Sequence, residues 1–179
     1  MDAFQSVWYR LVLLFMAVML TVCWFVLGPG NPAYAVGVVA GTFALGPVVA
    51  APVMRRVPPQ WFRVPAWERV LHGIAGVGIF AWLLDVSGWN RRVHEPMRAF
   101  SGKKAGLISL EQSLRGNVSA HGTCFAIHVA LAVLALLSRH PWSAALWLLL
   151  PGVVVHLYPV LVQRSIMLRL QPLLDKTGS

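Results

Sequence analysis

The sequence predicts an all-α polytopic membrane protein: four transmembrane helices, a cytoplasmic interfacial or re-entrant helix and a cap, in a single membrane domain over residues 1–179. Three observations predict it. Hydrophobic residues make up 58% of the 179 positions and charged residues only 12%, a balance foreign to soluble domains. Four apolar runs are long enough to cross a hydrocarbon core, which takes about 20 helical residues. The basic residues sit beside those runs, where positive charge meets anionic headgroups and fixes orientation. The formal charge of +9 therefore reads as a membrane signature, and no nucleic-acid partner is expected.

The first run, Leu11 to Leu27, lies between Arg10 and Ala33-Tyr34-Ala35, an arrangement that imitates a secretory signal and its cleavage site. It is longer than a signal core and a second apolar run follows at once, so it reads as the first arm of a helical hairpin. That second run, Tyr34 to Val53, carries Gly37 and Gly41 in GxxxG spacing, with Gly46, Pro47 and Pro52 nearby. Close helix packing explains these small residues without a ligand. Cys23 and Cys124 lie inside apolar runs and lack CxxC or Cys/His ligand spacing. They read as small buried hydrophobes, and neither a disulfide nor a metal site is expected.

Residues 54–117 form the cap and hold four of the six acidic residues: Glu68, Asp85, Glu95 and Glu111. The stretch PPQWFRVPAW is too rich in proline for a continuous helix, and its aromatics, with Trp82 and Trp89, suit the headgroup layer. From Pro65, WERVLHGIAGVGIFAWLLD reads as one helix, with Glu68 and His72 on a common face. Its apolar part, Leu71 to Leu84, is only 14 residues, an interfacial or re-entrant length. Charge gives the same answer. Were this segment to cross, Arg91, Arg92, Arg98, Lys103, Lys104 and Arg115 would face away from Arg55, Arg56, Arg63 and Arg69. If it does not cross, all 15 Lys and Arg except Arg139 lie on one side, which predicts cytoplasmic termini.

SGWNRRVHEP breaks the cap helix, and from about Gly106 an amphipathic helix, LISLEQSLRGN, runs on into the third span, Val118 to Leu137. The linker SRHPW is so short that the fourth span, Ser143 to Val162, must be an antiparallel neighbour of the third. Pro151, Gly152 and Pro159 permit a kink there that would open a pocket near His156.

The chemistry concentrates in RGNVSAHGTCFAIH, Arg115 to His128, where a polar run enters an apolar helix that keeps two histidines on one face. Ionisable groups are costly at that depth, so they are candidate functional groups. At about 1.5 Å of rise per residue, His121 and His156 reach similar depths in the cytoplasmic half, whereas His128 lies deeper. Each histidine has a plainer reading, a structural hydrogen bond to a neighbouring carbonyl. Glu111 and Arg115 form an i,i+4 pair that also reads as a headgroup-facing ion pair. Arg91, Arg92, Lys103 and Lys104 read as lipid-phosphate contacts, with a soluble anionic donor such as an acyl thioester as the alternative. Three function classes stay open on these residues: a lipid-modifying enzyme, an accessory or pigment-binding subunit of a larger complex or homo-oligomer, and a haem-binding electron carrier using two of His121, His128 and His156. Transport is disfavoured by the absence of inverted repeats.

The succession WERVLHGIAGVGIFAWLLDVSGW, LEQSLRGNVSAH and LYPVLVQRSIMLRL resembles the CrtO-type glycosyl-4,4'-diaponeurosporenoate acyltransferases, from about Trp67 to Leu174. The resemblance implies a bacterial inner-membrane enzyme that attaches a fatty acyl chain to a hydroxyl of a lipid or glycosylated carotenoid at the cytoplasmic face. It rests best on Arg115, His121, Pro159, Gln163, Arg164 and Arg169. The chain departs from the family at two places. Where the family resembles R-x-E-x-x-H, Asn117 stands at the acidic position and one extra residue precedes His121. Where it ends like P-x-x-x-Q-R-Y-N-R-x-R, Ser165, Ile166 and Met167 replace Tyr, Asn and Arg. The resemblance implies His121 as general base with Asn117 as its partner or an oxyanion donor. Arg115, Gln163, Arg164, Arg169 and His156 then bind substrate, with Glu68, His72, Glu111 and His128 as further candidates.

Overall fold

The computed structural model describes residues 3–89 and 104–177, with side chains for 7–89 and 106–176. The expectations placed on Arg91, Arg92, Glu95, Arg98, Lys103 and the Lys104 side chain lie outside them. Helices dominate: α1 (Ala3–Leu27), α2 (Pro32–Arg56), a 3-10 turn (Pro59–Phe62), α3 (Glu68–Ile74), α4 (Val77–Val86), α5 (Lys104–Leu137), α6 (Trp142–Gly152) and, after a π-helical turn at Val153–Leu157, α7 (Tyr158–Thr177). Among the described residues, four continuous stretches are long and apolar enough to cross a membrane: Val7–Leu27, Pro32–Arg56, Gly106–Leu137 and Trp142–Lys176. The expected helix starting near Gly106 does run unbroken into the third apolar stretch, as α5.

Local chemistry sets the ends. Gly28 takes a positive φ of 79° after α1, and Asn31 caps α2 by accepting from the Ala33 N–H at 2.9 Å, with Pro32 at the first helical position. Between α5 and α6, Arg139 adopts φ 61° and the His140 N–H donates to the Ala135 carbonyl at 3.0 Å, a Schellman-type closure. Two apolar clusters then hold the bundle. At one end Tyr34 and Val38 pack against Leu148 and against Ala132, Ala135, Ala144 and Ala145, small residues that let α2, α5 and α6 approach closely. At the other, Phe62 and Val64 of the cap pack on Leu110, Leu114 and Met167. Of the GxxxG pair, Gly41 meets α1: a Cβ there would fall 2.4 Å from Met16 Cε, whereas Gly37 has open space.

The segment after Pro65 is not one helix. It breaks at Ala75 and Gly76 into α3 and α4, which bend by 62°. Gly76 adopts φ 65°, a left-handed conformation costly for any residue with a Cβ, and the chain turns there. The turn is held from outside the segment. The Tyr158 hydroxyl donates to the Ala75 carbonyl at 2.9 Å, and its ring lies 4.8 Å from that of Phe80. Glu68 and His72 do share a face of α3, as expected.

The fourth apolar stretch is irregular where its prolines are. Pro151 and Pro159 supply no backbone N–H, and between them the chain slips into the wider π turn at Val153–Leu157. His156 sits in that turn, 1% exposed, pointing between α2 and α5.

Candidate active site

Between the two apolar clusters lies a polar layer built around Thr42 of α2, 0% exposed. His128 Nδ1 is 2.8 Å from the Leu148 carbonyl, and its Nε2 is 3.3 Å from Thr42 Oγ1. Thr42 Oγ1 is also 2.9 Å from His156 Nε2, and His156 Nδ1 is 3.2 Å from His121 Nδ1. Two histidines of α5 and one of the π turn are thus linked, His128 to His156 through the Thr42 hydroxyl and His121 directly to His156, and the His156 ring centroid is 5.4 Å from each of the others. The Cys124 thiol donates to the Thr42 carbonyl at 3.1 Å and serves packing.

Gly152 makes the deep end of this layer possible. A Cβ at Gly152 would lie 2.7 Å from both Cβ and Cγ of His128 and 3.1 Å from its Nδ1. Gly152→Ala should push α6 off α5 and destabilise the protein by about 1–3 kcal/mol, the usual cost of overpacking. Thermal unfolding in detergent checks this, and an unchanged midpoint would contradict the close approach.

The shallow end opens. His121 and Asn117, one helical turn apart on α5, line an apolar cleft of about 330 Å3 together with Gln163 of α7. Its walls are Phe43 of α2, Phe80 and Leu84 of α4, Trp89, and Val154, Val155, Pro159 and Val162 of the fourth apolar stretch. Phe43 and Trp89 meet edge to face at 6.1 Å. Gln163 is 3% exposed and its Oε1 has no hydrogen-bond partner, a cost that a ligand hydroxyl would remove. The broken α3–α4 pair is therefore a wall of the cleft, and what fixes that pair shapes the site.

The other candidates group elsewhere. Arg164 donates from Nε and Nη2 to both oxygens of Glu68, at 2.8 and 2.5 Å, and from Nη1 to the Trp61 carbonyl at 3.1 Å. This bidentate pair ties α3 to α7. His72 Nε2 lies 3.8 Å from Glu68 Oε2, beyond hydrogen-bond reach. Burial holds His72 below the usual imidazole range; Glu68 opposes that shift and Arg164 reinforces it. Arg115 pairs with Glu111 at 2.5 Å and lies over the Phe62 ring, 5.5 Å from its centroid, lining a smaller hollow with Gln171 and Asp175. Arg169 is exposed. The Ser119 hydroxyl donates to the Arg115 carbonyl at 2.9 Å. The polar groups that share the cleft with His121 are Asn117 and Gln163, and His156 lies behind it. Thr42, which joins His128 to His156, was not among the candidates read from sequence. A single threonine in the second apolar run, at a depth like that of the histidines, was its only signal.

The model of one family, glycosyl-4,4'-diaponeurosporenoate acyltransferase (CrtO), matches residues 58–176. No curated protein and no solved structure matches the chain. The matched range holds every histidine of the polar layer, together with Asn117 and Gln163, and leaves out Thr42 and Phe43.

Proposed function

Because the chain belongs to the CrtO family of glycosyl-4,4'-diaponeurosporenoate acyltransferases, we propose that it moves a fatty acyl chain from an acyl thioester to a hydroxyl of a glycosylated carotenoid or related lipid. One observation carries this reading: an apolar cleft whose polar groups are His121, Asn117 and Gln163, with His121 backed by a buried histidine. Such a cleft suits a long apolar substrate with one hydroxyl presented at its polar end.

In the proposed reaction His121 takes the proton of the acceptor hydroxyl as its oxygen attacks the thioester carbonyl carbon. The carbonyl π electrons move onto oxygen, and the Asn117 amide N–H donates to that oxyanion. Collapse of the tetrahedral species breaks the C–S bond. The thiolate leaves with the proton from His121, giving ester and thiol and restoring the base. Gln163 Oε1 accepts a hydrogen bond from a second acceptor hydroxyl. The donor's anionic end belongs, in this reading, to the basic cytoplasmic side, where Arg169 is exposed, since Arg164 and Arg115 already meet carboxylates of this chain. The setting is the bacterial inner membrane with both termini cytoplasmic, as the charge asymmetry favours.

The test is mass spectrometry of lipid and pigment extracts from the native host lacking this protein, complemented with the wild-type chain. An acylated species that disappears on deletion and returns on complementation is the expected result. Identical extracts would reject the transferase and favour an accessory subunit.

A further inference from the structure

We propose that Thr42 and His128 are positioning residues that set which nitrogen of His121 holds the lone pair, acting through His156. This inference rests on the reading of His121 as general base. Hydrogen-bond capacity carries the argument. The Leu148 carbonyl only accepts, so His128 Nδ1, 2.8 Å away, carries a proton, and a neutral His128 has a bare Nε2. Thr42 has one hydroxyl proton and three acceptors already around it: the Val38 carbonyl at 2.8 Å, the Val39 carbonyl at 3.0 Å and His128 Nε2 at 3.3 Å. Whichever of them receives that proton, Oγ1 keeps a lone pair for His156 Nε2 at 2.9 Å. His156 therefore donates through Nε2, which leaves its Nδ1 bare. That nitrogen accepts from His121 Nδ1 at 3.2 Å, so His121 holds its lone pair on Nε2.

The opposite polarity is poorer. If Thr42 donated to His156, His128 Nε2 and both valine carbonyls would forgo its proton, and His121 would carry its proton on Nε2 and lose its basic nitrogen there. The relay also prepares the charged intermediate. When His121 takes the acceptor's proton on Nε2, its Nδ1–H still donates to His156, so a neutral partner steadies the imidazolium without a buried carboxylate.

The experiment compares wild type, Thr42→Val and Thr42→Ser, each as the full-length detergent-solubilised chain. Histidine 15N shifts report the tautomers, and turnover is measured with an acyl thioester and a glycosylated carotenoid. Wild type should show protons on Nδ1 of His128, Nε2 of His156 and Nδ1 of His121. Thr42→Val, equal in shape but lacking the hydroxyl, should change the His156 and His121 tautomers and lower kcat roughly tenfold with KM unchanged. Thr42→Ser should restore both. Unchanged tautomers or unchanged kcat in Thr42→Val would overturn the proposal, as would serine behaving like valine. An inactive His121→Ala beside a fully active Thr42→Val rejects the relay and keeps the base. A wild type without turnover rejects the base, and the tautomer comparison still decides the relay.

Discussion

Replacing His121 by alanine should lower acyl transfer about 100- to 10,000-fold, the range a positioned general base supplies, while the protein remains folded. The acceptor hydroxyl is a poor nucleophile at neutral pH, so removing the group that takes its proton leaves only the binding and oxyanion contributions. Folding should survive for a structural reason. His121 is half-buried at the cleft, and its loss exposes one face of His156 to a space already open, whereas the Thr42–His128–Leu148 contacts stay in place. Turnover by the purified variant, beside an unfolding midpoint near that of wild type, is the decisive pair of measurements. Full activity with an intact fold would remove His121 from the mechanism. His156→Ala should behave differently, because it empties a fully buried position and takes one partner from Thr42 Oγ1, so it should cost stability as well as rate.

Helix geometry explains why some of this site could be read from the sequence. Asn117 and His121 differ by four residues, about 40° around a helix, and they share the cleft. Arg115 and His121 differ by six, about 120° around, so Arg115 faces Phe62 and a separate hollow although it looks adjacent in the motif. The short SRHPW turn brings the fourth apolar stretch back along the third, which is why His121 and His156 meet. Thr42 shows where such reading stops. Its hydroxyl bonds to the Val38 carbonyl one turn back, as threonines in apolar helices commonly do, and nothing local marks it. Its chemistry comes from two histidines 86 and 114 residues away. The break at Gly76 was hidden for a similar reason. Glycines are frequent in membrane helices, and the partner of the freed Ala75 carbonyl, Tyr158, lies 83 residues further on.

Arg164→Leu should destabilise the protein by about 3–5 kcal/mol, since it leaves the Glu68 carboxylate without a cation where the side chain is only 12% exposed. The double variant Glu68→Leu/Arg164→Leu should recover most of that loss, because removing both charges leaves an apolar contact between α3 and α7 and no stranded charge. Unfolding midpoints of the four proteins in the cycle measure the coupling. The same cycle separates two roles for Arg164. As a clamp, it acts on catalysis only by holding α3 and α4, and with them Phe80 and Leu84, against the cleft; activity should then return along with stability in the double variant. As a donor-binding cation, its loss would leave the double variant stable and inactive. The bidentate geometry and the third bond to the Trp61 carbonyl use every nitrogen of the guanidinium, so the clamp is the expected outcome. The Gln-Arg pair at the end of the family motif then points two ways, with Gln163 lining the cleft and Arg164 fixing the wall beside it.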